Sequence, residues 1–131
     1  MSANARPLSP HIQIYRWQIQ MMTSILHRAT GIALAAGSLL LLCSLIALAS
    51  GTETWAQISG FARSGLGTFL LLGWTWSLAY HWLNGIRHLL QDLGWGYRIE
   101  QFVRNGWLVV AGSLILTILV WVCVFAQRGG A

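Results

Sequence analysis

Residues 81–94 read HWLNGIRHLLQDLG. They gather two histidines, an arginine and an aspartate in a chain of 131 residues where Asp, Glu, Lys and Arg make up 8%. At helical spacing His81, Gly85, His88 and Asp92 are offset by four, three and four, so they share one face. A neutral imidazole at such a place can ligate a haem iron between helices, relay protons, or donate a hydrogen bond to a carbonyl of a neighbouring helix. All three readings of His81 stay open on spacing alone. Gly85, one turn along on the same face, removes a side chain where a flat macrocycle could lie. A second polar group precedes it: Ser24, His27 and Arg28, at i, i+3 and i+4. A hydroxyl beside a guanidinium can hold a carbonyl oxygen or a carboxylate. Arg28 and Arg87 are equally suited to snorkelling towards lipid phosphate. Asp92 has a simple partner in His88, one turn earlier.

The elements that must position these groups are apolar. The hydrophobic fraction is 56%, with eight tryptophans. Ala29–Thr52, Ser64–Ile86 and Asn105–Gln127 carry no Asp, Glu, Lys or Arg. A helix crossing a hydrocarbon core of about 30 Å needs roughly 20 residues, and each stretch supplies them. Lipid offers the backbone no hydrogen bonds, so such segments are helices. The pattern argues against a soluble all-α bundle and predicts an all-α membrane protein with three transmembrane helices, over about 22–50, 64–93 and 105–126. Residues 1–21, with Pro7 and Pro10, are expected to form an arm on the inner face; residues 51–62 are expected to be a short outer loop. The whole chain, 1–131, reads as one membrane-anchor domain.

All eight basic residues are arginines. Arg6, Arg16, Arg28, Arg87, Arg98 and Arg104 fall on one side of the three spans, Arg63 and Arg128 on the other. That imbalance places the N-terminus on the cytoplasmic (or matrix) side and the C-terminus outside. The net charge of +5 is thereby a topology signal and needs no nucleic acid. The polar opening does not resemble a removable signal and is read as mature protein, favouring a bacterial source. Cys43 and Cys123 lack CxxC or CxxCH spacing and read as small buried hydrophobes. Ala29, Ala33 and Gly37 form a small-residue stripe that would let another helix approach. Counted back from Arg87, His81 lies about 9 Å deeper, whereas His27 sits near the interface. If an iron sits on His81, its other axial imidazole should come from a different polypeptide, and His27 and Arg28 are better placed to meet haem propionates. An intramembrane ionisable group costs roughly 2.5–3.5 kcal/mol, so each must face protein, cofactor or water.

RPLSPHIQIY, SILHRATG and HWLNGIRHLLQDLG, in this order and spacing, resemble the successive signatures of the cytochrome b556 membrane-anchor family of succinate dehydrogenase, respiratory complex II. The resemblance covers essentially the whole chain. It implies that His81 is the haem b iron axial ligand from this subunit. It also implies that Ser24 and Arg28 belong to a ubiquinone pocket, and that His27 and Arg28 lie near the haem propionates. The implied function is that of a membrane anchor in succinate:ubiquinone oxidoreductase, passing electrons from succinate to quinone in the respiratory chain and tricarboxylic acid cycle. The chain has no dinucleotide fingerprint and no cysteine cluster. The resemblance accordingly assigns FAD to a flavoprotein subunit, the iron–sulfur clusters to an iron–sulfur subunit, and the other haem ligand to a second small membrane anchor. It implies a bacterial inner membrane, or a mitochondrial one. The alternatives are the anchor of a fumarate reductase or other b-type cytochrome complex, and a non-redox helical anchor.

Overall fold

The computed structural model describes residue 11 and residues 14–129. Most of the arm expected over 1–21 lies outside the described residues. The described residues are all-helical, with four helices: α1 (Ile19–Ser50), α2 (Thr52–Arg63), α3 (Gly65–Asp92) and α4 (Ile99–Gly129). α1 and α4 are each long and apolar enough to cross a bilayer. α3, at 28 residues, has the length, about 42 Å at 1.5 Å per residue. Its composition is diluted by Tyr80, His81, Asn84, Arg87, His88 and Gln91. The short loop expected over 51–62 is instead the helix α2. Glu53 in its first turn and Arg63 in its last complement the helix dipole.

Burial is inverted relative to a water-soluble protein. The buried apolar side chains among the described residues are only Ala47, Tyr80, Val109 and Trp121, while Thr23, Thr30, Ser77, Asn84, Arg87, Gln91, Ser113 and Thr117 are buried polar groups. Leucines, isoleucines and phenylalanines cover the outside, among them Leu40, Phe69, Leu89 and Ile118. Contiguous apolar surface on this scale suits lipid or partner helices rather than water. α3 is central and packs on both α1 and α4. Its buried stripe is Ser77, Tyr80, Asn84, Arg87 and Gln91, spaced three, four, three and four, as one face of a helix requires.

Specific polar bonds lock α3 in place. Tyr80 Oη donates to the Thr23 carbonyl of α1 at 3.0 Å. Trp76 Nε1 donates to Ser113 Oγ of α4 at 3.2 Å. Gly37 lets the Trp74 side chain of α3 pack against α1, for a Cβ there would overlap the indole. Of the expected small-residue stripe only Gly37 is used this way; Ala29 and Ala33 are exposed. Cys43 and Cys123 are free thiols on exposed faces, contrary to the buried sites expected of them, since both fall on helix sides turned away from the packing seams.

α3 ends in a Schellman motif. Gly94, at φ 86°, takes the left-handed conformation that favours glycine. Its N–H donates to the Gln91 carbonyl at 2.8 Å, and the Trp95 N–H to Leu90 at 3.0 Å. The chain then turns through GWGY into α4.

Candidate functional site

The site lies where the Gly94-proximal half of α3 meets the first three turns of α1. Its centre is His81. The Nδ1 of that ring is 3.1 Å from the His27 carbonyl oxygen and 3.4 Å from Thr30 Oγ1. A carbonyl can only accept, so Nδ1 carries the proton. The Thr30 hydroxyl hydrogen is committed to the Leu26 carbonyl at 2.7 Å, which turns an oxygen lone pair towards His81. Nε2 is therefore the unprotonated nitrogen, with a lone pair free for a metal. A backbone carbonyl holding the far nitrogen of an imidazole is the usual means of fixing ligand tautomer and ring orientation. Gly31 makes room for the ring: a Cβ there would sit 3.2 Å from His81 Cε1. Around Gly85, one turn along, nothing lies within 4 Å of where a Cβ would be. The open space beside that glycine and the free Nε2 both fit a planar macrocycle bound through His81.

His27 stacks on His81, with ring centroids 3.9 Å apart and planes inclined by 11°. The two imidazoles therefore lie at one depth, not the different depths suggested by counting residues from Arg87. α1 is already helical from Ile19, which carries His27 a full two turns in from the helix start. The stacking has a consequence for metal binding. A ligated metal lies in the plane of the imidazole, beyond its nitrogen, so two rings stacked face to face cannot both point at one iron. The His27 Nδ1 is buried with no partner among the described residues.

His88 stands 5.2 Å from His27, ring to ring. Its partner is Asn84, not Asp92. Arg87 Nη1 donates to Asn84 Oδ1 at 3.3 Å, which leaves the Asn84 amide nitrogen to donate to His88 Nε2 at 3.1 Å. Nε2 of His88 must then accept, and its proton sits on Nδ1. Asp92, expected on the same face as His88, is exposed and makes no ion pair among the described residues.

Of the three polar residues on α1, His27 enters the seam with α3, Ser24 is half-buried and Arg28 is exposed. Arg87 does the opposite of what its position at a span's end suggested. Rather than snorkelling outwards it is 6% exposed and lies 4.4 Å over the Phe102 ring of α4. Tyr80 and Asn84, both fully buried, were not singled out by the sequence pattern. Their signal was present in the polar positions at three- and four-residue spacing through an otherwise apolar helix.

Residues 2–120 match the family described as succinate dehydrogenase/fumarate reductase transmembrane subunit. The chain is 42% identical over 120 residues to the succinate dehydrogenase cytochrome b556 subunit of Paracoccus denitrificans, covering 92% of each. It is 41% identical over 119 residues to the protein of the same name from Rickettsia typhi, covering 91% of this chain and 93% of that one. The mitochondrial succinate dehydrogenase cytochrome b560 subunit of Sus scrofa is 45% identical over 118 residues, which are 87% of this chain and 66% of the relative.

Proposed function

From the premise that the chain belongs to the succinate dehydrogenase/fumarate reductase transmembrane subunit family, and so is a membrane-anchor subunit of succinate dehydrogenase, we propose how its own residues serve that role. α1, α3 and α4 each span the bilayer. The polar residues that lower the hydropathy of α3 are turned into its seams with α1 and α4, and its outward face, with Leu78, Trp82 and Leu89, is exposed and apolar. The arginine imbalance sets the N-terminus and the α3–α4 turn on the inner side, cytoplasmic in a bacterium, as the Paracoccus and Rickettsia relatives suit.

His81 would hold haem b through Nε2. The observation that carries this reading is the 3.1 Å bond from its Nδ1 to the His27 carbonyl, which leaves the other nitrogen free. Bound there, haem b supplies a one-electron carrier within the membrane. This chain's part is to hold the imidazole in one tautomer and orientation, with Gly31 and Gly85 leaving the ring and its surroundings uncrowded. The second ligand would come from another subunit, because His27 lies face to face with His81 and His88 is two turns away from His81 on the same helix. His27, with a buried unpartnered Nδ1, and the exposed Arg28 offer donors to the anionic propionates.

Ser24 and Arg28 line the ubiquinone site. The Ser24 hydroxyl donates to a quinone carbonyl, orienting the ring, and the Arg28 guanidinium stabilises negative charge that develops on oxygen as quinone accepts electrons. Succinate chemistry, FAD and the iron–sulfur clusters belong to flavoprotein and iron–sulfur subunits docked on the inner face, with a second small hydrophobic anchor completing the assembly. In Ser24→Ala and Arg28→Ala complexes we expect succinate:quinone reductase activity to fall by at least tenfold while succinate oxidation by an artificial acceptor persists. Parallel loss of both activities would assign these residues to assembly instead.

A further inference from the structure

A cleft of about 340 Å³ opens between the Gly94-proximal half of α3 and the start of α4. We propose that it binds one anionic phospholipid, with the phosphate gripped by Arg87. The guanidinium is buried, 6% exposed. Its Nη1 is committed to Asn84 and its face covers Phe102, yet Nε and Nη2 have no partner among the described residues. Those two nitrogens form one edge of the guanidinium fork, which matches two oxygens of a phosphate. Gln91, 7% exposed, adds a buried amide nitrogen that also lacks a partner. Arg104 stands exposed at the rim. The lining thus carries two cations and, among the described residues, no carboxylate.

The remaining walls select the source of the anion. Leu83, Ile86, Leu90 and Leu108 line the cleft beside the polar groups, and the last three are also exposed on the outer surface of the helix pair. An acyl chain would leave the cleft along this apolar path and enter the bilayer. A free inorganic anion gains nothing from such walls. Trp95 completes the rim, as suits an aromatic ring at headgroup level. The site is separate from the His81 cluster, and its occupancy does not depend on the redox reading.

Native mass spectrometry of the intact complex tests the proposal. Wild type, Arg87→Met, Arg104→Gln and Leu108→Trp complexes would be stripped of annular lipid by increasing detergent, then offered phosphatidylglycerol, phosphatidylcholine or inorganic phosphate. In wild type, one phosphatidylglycerol per copy of this chain is expected to outlast the annular lipid, with phosphatidylcholine retained at least tenfold less. Arg87→Met should lower phosphatidylglycerol retention at least tenfold, and Arg104→Gln by a smaller factor. Leu108→Trp, which narrows the apolar wall and leaves the guanidinium in place, should also expel the lipid; it provides the test should Arg87→Met fail to assemble. Equal retention in wild type and Leu108→Trp overturns the proposal. So does displacement of the lipid by millimolar phosphate, or a density map with a carboxylate of an adjacent subunit on Arg87.

Discussion

Substitution of Gly31 by alanine probes the coupling between α1 and His81, the proposed haem ligand, without touching His81 itself. The added methyl would lie 3.2 Å from His81 Cε1 and 3.6 Å from Nδ1. Comfortable carbon–carbon contact begins near 3.5 Å, so the ring must retreat by about 0.3 Å. It cannot retreat freely, because Nδ1 is bonded to the His27 carbonyl at 3.1 Å and the His27 ring is stacked on it at 3.9 Å. The bond lengthens instead. A hydrogen bond of this kind contributes roughly 0.5–1.5 kcal/mol net, and weakening it by about 0.5 kcal/mol is a reasonable consequence of such a displacement. Donation from Nδ1 to the carbonyl makes the ligating nitrogen more basic and favours the higher oxidation state of a bound metal. Loss of about 0.5 kcal/mol from that preference corresponds to a rise in midpoint potential of about 20 mV, at 59 mV per tenfold for one electron. Redox titration of the b-type α-band in the purified complex reads this shift, and His81→Ala should abolish the band. A Gly31→Ala complex with wild-type assembly and an unchanged or lowered midpoint refutes the coupling. Full haem content in His81→Ala refutes ligation altogether.

Gly37→Ala should be more damaging to the fold and less specific to the haem. Its methyl overlaps the Trp74 indole, and overpacking of this kind typically costs about 1–3 kcal/mol; thermal unfolding of the complex in detergent should shift downwards, with the α-band midpoint of the surviving fraction moving as well. Tyr80→Phe removes the 3.0 Å bond from α3 to the Thr23 carbonyl and leaves the packing intact. Interhelical bonds in membranes average about 0.6 kcal/mol, so a small loss of stability with normal quinone reduction is expected. A loss above about 2 kcal/mol would mean that Tyr80 does more than tie the two helices.

The residues that bear chemistry were legible before the arrangement that relates them. Ser24, His27, Arg28, His81 and His88 were conspicuous because ionisable and polar groups are costly in so apolar a chain. Helical spacing then grouped His81, Gly85, His88 and Asp92, whereas the buried stripe of α3 is Ser77, Tyr80, Asn84, Arg87 and Gln91. The two groupings differ by about one residue around the helix. In a water-soluble protein the apolar face would have fixed that rotation, but here leucine lies on the outside and a face can be assigned only by its polar members. Asn84 carries no charge and falls at a position the family pattern leaves open, so the sequence does not mark it, although it is the link that joins Arg87 to His88. The depth of His27 was misjudged for a related reason. Counting residues from a charged end assumes that the charge marks the interface, and Arg87 is instead folded under α4.

That the His81 bond ends on a main-chain oxygen has a consequence for how the site tolerates change. Every residue supplies a carbonyl, so no substitution at position 27 deletes the acceptor that fixes the His81 tautomer. What such a site cannot absorb is a change in the separation of α1 and α3, because the acceptor moves with the helix. That separation is held by Tyr80 Oη on the Thr23 carbonyl, again side chain to main chain, and by the absence of side chains at Gly31 and Gly37. Ligand geometry is therefore set by helix spacing more than by the identity of the residues around the ring. On this reasoning, enlarging either glycine should perturb His81 more than replacing the His27 ring, even though that ring is its nearest neighbour.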